Sequence, residues 1–316
     1  MTATTTAAVL GSVRAMACDV TIHGSPTPGV AETDVAGALS RFTDVDRACT
    51  RFNLESPLMR VNARPDRWHE VPETLLHAVQ EAHAAYQRTH GWFDPRVLRT
   101  LVGLGYDRSL PFEAGGVATS AVAVPSSARG PWRPRFRGGP GPQVHLGGEP
   151  IDLGGIGKGL ALRWASERLE QVVDDYLIDA GGDCVCRGRG PDGDGWRVGV
   201  EDPRGGTHPL VVVELRDLAC TTSSIRLRRW RCGGRSVHHL VDPRTGRPGG
   251  DGLLAVTVIG PDAAAAEVLS KTLFLRGRRA IAAEASRLGV AAFWVGSDGR
   301  TGETKRFGTR VIWRAQ

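Results

Sequence analysis

The stretch that most constrains this chain is residues 151–164, IDLGGIGKGLALRW, which changes from strand-like to helical periodicity across a turn with four glycines. Main-chain N–H groups at the start of a helix are unpaired and lie at the positive end of the helix dipole. Glycine lets that main chain approach an anion closely, so the turn suits the diphosphate of a nucleotide. The same glycines also suit a tight connection between a strand and a helix. Their spacing fits neither a Walker loop nor the usual dinucleotide fingerprint.

Length and composition describe an ordinary globular protein. The chain has 316 residues, 41% hydrophobic and 23% charged, which is enough for one large domain or two ordinary ones. Its net charge of +6 is compatible with a nucleic-acid partner, but the basic residues are spread along the chain and only 6% of the residues are aromatic. We therefore expect no nucleic-acid partner.

The cysteines and the N-terminal residues indicate a cytoplasmic protein. No two of the six cysteines have the spacing of a zinc or redox motif, and Cys184 and Cys186 are expected on opposite faces of a strand. This pattern is typical of small buried residues in a reducing compartment. The first residues lack the features of a signal peptide, and no stretch approaches the ~20 apolar residues of a membrane span. We expect no membrane span and a cytoplasmic location.

Periodicity predicts an α+β fold. Residues 13–23 predict one opening strand, residues 33–48 and 72–91 predict helices, and residues 262–288 predict one long helix or a pair. Further strands are predicted at 176–179, 196–200, 210–215, 236–241, 254–259, 291–295 and 310–313. Several of these strands follow one another without a helix, so the sheet should be mainly antiparallel. Residues 111–143, rich in Gly, Pro and Ser, predict a long surface loop inside a single domain spanning 1–316.

Three further segments combine polar residues with turns. They are TTSSIRLRR at 221–229, HHLVDPRTG at 238–246, and AAAEVLSKTLFLRG at 264–277, which carries Glu267 and Lys271. Each has a simple structural explanation: hydroxyl side chains cap turns, DPRTG is a generic turn, and Glu and Lys at i, i+4 form a common ion pair on helix surfaces. These explanations do not account for the segments occurring together in this order.

That order of motifs resembles the ApbE family, the FAD:protein FMN transferases, over nearly the full length of the chain. The resemblance rests on RAMACDV at 14–20, RFNLESPLMRVN at 51–62, THGWFDPRV at 89–97, LGYDRS at 104–109, DLGGIGKG at 152–159, DAGGD at 179–183, TSS at 222–224 with HHLVDPRTG, and AEVLSKTLF at 266–274. It implies a two-lobed α/β fold, with a mainly antiparallel sheet, flanking helices and FAD between the lobes.

The resemblance also implies an activity. Members of the family cleave FAD at its diphosphate, release AMP, and attach FMN through a phosphoester bond to a Thr or Ser of an acceptor protein. Some members instead hydrolyse FAD to FMN and AMP. The implied partners of this chain are therefore FAD, as a substrate, and an acceptor protein with a Thr or Ser flavinylation site.

Site residues are assigned by their position in the matching motifs. The implied FAD site comprises Met16, Phe52, Trp92, Phe93, Asp94, Asp152, Lys158, Thr222, Ser223 and His239. Phe52 and Trp92 offer flat rings suited to stacking. His239 is the implied general base, which takes the proton from the acceptor hydroxyl.

The implied metal site departs from the family's pattern. Members carry an Asp and, four residues later, a Thr as ligands of Mg²⁺ or a similar cation, with the main chain at Gly155 nearby; this chain has Glu267 and Lys271 instead, and Ala264 at a further acidic position. Glutamate still binds hard cations, whereas a protonated lysine has no acceptor. Ser224 also stands where the family commonly has glycine.

Two outcomes follow from this departure. In the first, which we prefer, the ammonium group of Lys271 is directed by Glu267 and replaces the metal against the diphosphate, which makes both residues catalytic. In the second, the site has lost its electrostatic clamp. The alternative function is then FAD binding, or FAD hydrolysis, without transfer to a protein.

Overall fold

The computed structural model describes residues 7–24, 31–112, 115–122 and 130–315. Within these ranges the helices are α1 (Glu32–Cys49), α2 (Pro57–Ala63), α3 (Glu73–Arg88), α4 (Leu98–Gly103), α5 (Gly157–Leu169), α6 (Ala263–Leu275), α7 (Gly277–Arg287) and α8 (Lys305–Gly308). The strands are β1 (Ala8–Ala15), β2 (Cys18–Gly24), β3 (His69–Glu70), β4 (Ala118–Thr119), β5 (Arg135–Arg137), β6 (Gln143–His145), β7 (Tyr176–Ala180), β8 (Asp183–Arg187), β9 (Trp196–Glu201), β10 (Pro209–Leu215), β11 (Leu218–Ser224), β12 (Arg229–Cys232), β13 (Arg235–His238), β14 (Val241–Asp242), β15 (Arg247–Pro248), β16 (Leu253–Gly260), β17 (Ala291–Gly296), β18 (Thr301–Glu303) and β19 (Val311–Arg314).

An eight-stranded sheet in the order β1-β2-β7-β8-β11-β16-β17-β18 organises the fold. All of its neighbouring strands pair antiparallel. On one face, α1 packs against α5, and α5 against α6, which also contacts β11 and β16. On the other face, β7, β8, β11, β16 and β17 share an apolar core with β9 and β10. The protein is therefore an α+β fold with a mainly antiparallel sheet, as the sequence predicts.

A smaller apolar cluster lies beside these layers. It contains Leu101 of α4, Tyr106, Trp230 of β12 and Val237 of β13. Trp230 donates its indole N–H to the carbonyl of Leu104 at 2.8 Å, which fixes β12 against the end of α4. The hairpin of β12 and β13 brings residues 228 and 239, at its two ends, to the same place, and their main chains are hydrogen-bonded at 3.3 Å.

The predicted helices follow from the local sequence. In α1 the buried Val35, Leu39, Phe42 and Val45 recur at helical spacing, which confirms the predicted amphipathic helix. Pro72 is the N-cap residue of α3, and α5 ends at Leu169. Residues 262–288 form the pair α6 and α7, in which Asp262 caps α6 by accepting a hydrogen bond from the Ala265 amide at 2.7 Å.

Three predictions of local structure are wrong. Residues 13–23 form parts of β1 and β2, because Met16 and Ala17 adopt positive φ angles of 54° and 60° and turn the chain back into a hairpin. The segment 111–143 contains β4, β5 and part of β6 rather than loop alone, although residues 113–114 and 123–129 lie outside the described ranges. Cys184 and Cys186 share one face, since residues two apart in a strand point the same way, and both lie in the core with Cys220.

Helices α5 and α6 approach each other at Gly159. A Cβ atom there would lie 2.6 Å from both the carbonyl oxygen of Ala263 and the Cα of Ala264, so only glycine fits. This contact sets the start of α5 against the start of α6. No helix of the described residues is both long and apolar enough to cross a membrane.

Candidate active site

The glycine-rich turn leads directly into α5, which begins at Gly157. A Cβ atom at Gly157 would lie 3.1 Å from Cε of Met16, so the methionine at the tip of the β1–β2 hairpin packs over the helix start. The main-chain N–H of Met16 donates to Asp46 of α1 at 2.9 Å, which holds the tip in place. The structure thus brings Met16 and the turn together, as the sequence predicts.

Asp152 is held by an arginine that the sequence analysis missed. Nε of Arg51 lies 2.8 Å from Oδ2 of Asp152, and the two side chains are only 5% and 10% exposed. The guanidinium carbon of Arg51 lies 4.2 Å from the ring centres of both Phe52 and Tyr106. Its Nη2 is buried without a hydrogen-bond partner among the described residues, so it remains a free donor. The sequence feature that could have identified Arg51 is the RF pair that opens the motif at 51–62.

Phe52 is 46% exposed beside this ion pair, so one part of its ring is open to a ligand. A cavity of about 350 Å³ adjoins it and is lined by Arg14, Ala15, Thr43, Asp46, Arg47, Thr50, Phe52 and Asn53. A larger cavity of about 560 Å³, lined in part by Asp202, His208 and Arg314, shares no residue with the predicted site. The smaller cavity is therefore the one next to the predicted FAD-binding residues.

Lys158 forms an ion pair with Asp183, the first residue of β8. Asp183 is buried, and its other oxygen, Oδ1, accepts a 2.8 Å hydrogen bond from the amide of Thr222. Burial lowers the pKa of Lys158, but the negative charges of Asp183 and Glu267 outweigh it and raise that pKa above its usual value. Lys158 is therefore a fixed cation, and Asp183 is a site residue that the sequence analysis quoted in a motif without assigning it a role.

Glu267 and Lys271 lie on the inner side of α6 rather than on its surface. Glu267 is 5% exposed, and its Oε2 accepts a 2.8 Å hydrogen bond from the amide of Gly159 in the first turn of α5. A Cβ atom at Gly155 would lie 3.1 Å from Cε of Lys271, so the lysine side chain runs along the glycine turn. Burial raises the pKa of Glu267 and lowers that of Lys271, and the attraction between the two charges opposes both shifts.

These residues do not fit a divalent metal ion. No three His, Cys, Asp or Glu side chains in the described ranges are grouped to hold one. The two oxygens of Asp183 already face Lys158 and the Thr222 amide, and Glu267 faces the Gly159 amide. The position four residues after Glu267 is a lysine, whose ammonium group repels a cation and has no lone pair to offer.

His239 follows β13 and is half-buried. Its Nδ1 lies 3.3 Å from the carbonyl oxygen of Arg228. Burial lowers the pKa of His239 well below its usual value, and the positive charges of Arg228 and Lys271 lower it further. The imidazole is therefore neutral near pH 7 and can accept a proton. Its neighbour His238 instead packs edge-on against Phe274, with ring centres 5.9 Å apart.

The remaining predicted residues have contacts within the protein. Phe93 is buried, and its Cε2 lies 3.1 Å from the position of a Cβ on Gly155. Asp94 is buried and forms a 2.7 Å ion pair with Arg96. The guanidinium carbons of Arg244 and Arg276 lie 3.4 and 4.4 Å from the ring centre of Trp92, so a flavin ring stacking there competes with a guanidinium group.

Two hydroxyl residues link the strand β11 to its neighbours. Oγ1 of Thr222 lies 2.9 Å from Oγ1 of Thr257, and Oγ of Ser223 lies 2.8 Å from Oγ of Ser270 on α6. The hydroxyl residues of the segment TTSS at 221–224 thus lie within strand β11. The two hydrogen bonds tie β11 to β16 and to α6 in the turn of helix that follows Glu267.

The arrangement as a whole presents positive charge and one proton acceptor at the start of a helix. Lys158, Lys271 and Arg228 carry three positive charges, and the dipole of α5 adds to them. Besides burial, the positive charges of Arg228 and Lys271 lower the pKa of His239, which keeps its imidazole neutral. This combination suits a substrate with phosphate groups whose reaction partner must lose a proton.

Comparisons with known proteins point the same way. The sequence profile of the ApbE family matches residues 15–294. A FAD:protein FMN transferase of Klebsiella pneumoniae is 27% identical over 262 residues, covering 80% of this chain and 74% of the relative. One from Treponema pallidum is 32% identical over 146 residues, covering 43% and 40%.

Solved structures extend the likeness to the whole fold. The ApbE protein of Thermotoga maritima has a TM-score of 0.81 at 26% identity, covering 96% of this chain and 99% of its own. The flavinyl transferase ApbE of Pseudomonas stutzeri has a TM-score of 0.77 at 24% identity, covering 96% and 97%. Because the Pseudomonas stutzeri protein is only 24% identical, its similarity is evidence for the fold alone.

Proposed function

The chain belongs to the ApbE family, and on that premise we propose that it is a FAD:protein FMN transferase. It cleaves the diphosphate of FAD, releases AMP and attaches FMN to a Thr or Ser of an acceptor protein. The transferases among its relatives support this activity. The observation that carries the proposal is the packing of Lys271 against Gly155 of the glycine turn, with Glu267 held by the Gly159 amide at the start of α5.

The reaction needs a general base and positively charged side chains around the diphosphate. His239 takes the proton from the acceptor hydroxyl, and the hydroxyl oxygen attacks the phosphorus atom of the FMN half. The bond between that phosphorus and the bridging oxygen breaks, and AMP leaves with the bridging oxygen as a phosphate monoester. Lys158 and Lys271 offset the negative charge that builds up on the phosphate oxygens during this exchange.

The proposed FAD site is the set of residues around the glycine turn. The free Nη2 of Arg51 and the exposed ring of Phe52 provide a donor and a stacking face. Met16 covers the start of α5, and Asp152 is oriented by Arg51. The roles of Trp92, Phe93, Asp94, Thr222 and Ser223 toward FAD remain predictions, because their visible contacts are to the protein itself.

Magnesium, which the family resemblance implies, receives no step in this mechanism. The residues at its expected position do not fit it, because Lys271 stands where a ligand is required, and both oxygens of Asp183 and one oxygen of Glu267 already have partners. The charge of the diphosphate is met by side chains that belong to the chain.

We place the protein, as a single domain, in a reducing compartment such as the cytoplasm. All six cysteines lie in the described ranges and are free thiols. Cys186 is next to Cys184, and burial raises its pKa well above the usual value, so it stays a protonated thiol. Buried reduced cysteines of this kind are typical of proteins that do not meet oxidising conditions.

The experiment is incubation with FAD and a candidate acceptor protein, followed by mass analysis of the acceptor and detection of AMP. The proposal expects the acceptor to gain the mass of one FMN for each AMP released. AMP release with an unmodified acceptor supports the second candidate, FAD hydrolysis, which the unusual Glu267 and Lys271 favour. A bound flavin without AMP indicates a binding protein, and the absence of any bound flavin rejects the proposal.

A further inference from the structure

Lysine is rare in this chain, and its distribution is informative. Only three of the 40 basic residues are lysines, namely Lys158, Lys271 and Lys305. Two of these three lie at the candidate active site, while Lys305 is exposed in α8. A chain whose other basic residues, apart from Lys305, are arginines therefore has the compact ammonium group at two positions beside the glycine turn. Lysine is a point charge, whereas arginine is a planar fork that fits two oxygens at once.

The position of Lys271 is fixed by its surroundings. Its Cδ and Cε lie 3.4 and 3.1 Å from the position of a Cβ on Gly155, so the absent side chain of the glycine makes room for the lysine. Glu267, one helical turn earlier, is held by the Gly159 amide and faces the same space. The lysine is half-buried, so part of the residue remains exposed beside the glycine turn.

The charges around Lys271 leave it available to an anion. Asp183 and Glu267 both attract Lys271, but Asp183 is also paired with Lys158, and one oxygen of Glu267 accepts from the Gly159 amide. Lys158, Lys271 and Arg228 face two carboxylates, so the site carries one excess positive charge before any ligand binds. A diphosphate brings the complementary charge, and an ammonium group meets it with charge-assisted hydrogen bonds.

We propose that the ammonium group of Lys271 takes the place of a divalent cation against the FAD diphosphate, so that this site binds and cleaves FAD without a metal ion. The inference rests on the proposed function and deepens it. The transfer step is unchanged in its atoms: the acceptor oxygen replaces the bridging oxygen on phosphorus, and the proton goes to His239. Lys271 donates hydrogen bonds and keeps its protons, so no co-reactant is needed.

The scarcity of lysine allows a direct test by nuclear magnetic resonance. Protein labelled with ¹³C at the ε-carbon of lysine gives three side-chain signals, which single Lys→Arg variants assign. With FAD bound, Mn²⁺ should broaden the signals of Lys158 and Lys271 no more than that of Lys305. Selective broadening of the two site signals places a metal beside them and overturns the inference.

Binding measurements give a second test that does not depend on turnover. The FAD dissociation constant of the wild type should change less than twofold between excess chelator and Mg²⁺. Lys271→Thr should weaken FAD binding about 10- to 100-fold in chelator. Lys271→Thr combined with Glu267→Asp should recover affinity only when Mg²⁺ is added. Lys305→Thr is the matched control and should bind FAD as the wild type does.

The outcomes separate this inference from the proposed function. FAD binding by the wild type that disappears in chelator overturns the inference and leaves the transferase proposal standing. Failure to bind FAD with or without Mg²⁺ rejects the proposed function and the inference with it. Lys271→Arg, which keeps the charge, guards against a variant that only misfolds: its affinity should lie between those of the wild type and Lys271→Thr.

Discussion

The carboxylate of Glu267 accepts a 2.8 Å hydrogen bond from the main-chain N–H of Gly159. The bond joins the inner side of α6 to the first turn of α5, where a negative charge is favoured by the helix dipole. It also explains why Glu267, which looks like part of a surface ion pair in the sequence, is buried in the structure. The same carboxylate thus supports a helix end and directs Lys271.

Removing the charge of Glu267 should destabilise the protein. Glu267→Gln keeps the side-chain length but leaves Lys271 without its nearby anion, so we expect a loss of about 1–3 kcal/mol in the free energy of unfolding. Urea titration measures it. Glu170→Gln is the control, because Glu170 is exposed and its ion pair with Arg187 is long, at 3.9 Å, so the change should cost less than about 0.5 kcal/mol. Equal losses would contradict the role of Glu267.

Two adjacent histidines should differ sharply in their effect on transfer. His239→Asn removes the base and should lower the rate of FMN transfer about 100- to 10,000-fold. His238→Asn should leave it near the wild-type rate, since His238 packs against Phe274. Steady-state kinetics with a flavinylatable acceptor, together with FAD affinity by flavin fluorescence, separate the two effects. Comparable rate losses in both variants would argue that His239 is only structural.

The pH dependence of transfer should reflect the lowered pKa of His239. A base with a lowered pKa stays neutral in mild acid. The fall of kcat/KM on the acid side, its acid limb, should therefore lie below pH 6.5, which is the pKa of an ordinary histidine. Arg228 lowers the pKa of His239 by its charge, so Arg228→Met should raise the pKa and move the limb to higher pH. A limb that moves the opposite way, or stays in place, would refute the assignment. The pH profiles of kcat/KM for the wild type and the variant measure the position of this limb.

Protein stability should fall in mild acid because of His238. Burial lowers its pKa from 6.5 to about 4. Between these values the unfolded chain takes up a proton and the folded one does not, so stability is greatest above pH 6.5 and is lost as the pH falls toward 4. Between pH 6.5 and pH 5, His238 should lower the free energy of unfolding by about 2 kcal/mol. His238→Asn should flatten the pH dependence of the unfolding free energy in this interval, and an unchanged slope would exclude His238 as its source.

The contact between α5 and α6 should not tolerate a side chain. Gly159→Ala would bring a Cβ within 2.6 Å of main-chain atoms of α6, and main chain cannot move as a flexible side chain does. We expect a loss of about 1–3 kcal/mol or more in unfolding free energy. Gly138→Ala is the control, because nothing lies within 4 Å of its added Cβ. Thermal unfolding of both variants decides the matter, and a neutral Gly159→Ala would refute the close contact.

Much of the fold could be predicted from the sequence where local rules decide it. Amphipathic spacing gave α1 and α3, and the glycine turn with its following helix gave α5. The hairpin at Met16 was missed because two left-handed residues there are neither glycine nor asparagine. β8, β11 and β12 are short and polar in part, and only their pairing with neighbouring strands makes them strands.

The site was predictable residue by residue but not in its contacts. Asp152, Lys158, His239, Glu267 and Lys271 were found through the order of their motifs. Their partners Arg51, Asp183 and Arg228 are brought to them by the fold, and the sequence pattern does not specify such pairs. Cys184 and Cys186 show the opposite error, since strand geometry alone places them on one face.

The glycine at position 159 has one further consequence. Because main chain rests on main chain there, the separation of the two lysine-bearing helices is set by a van der Waals contact between main chains and not by adaptable side chains. Lys158 and Lys271 are consequently carried by two helices whose separation is fixed before the substrate arrives. Because folding has already brought these like charges together, their mutual repulsion takes little from the free energy of substrate binding.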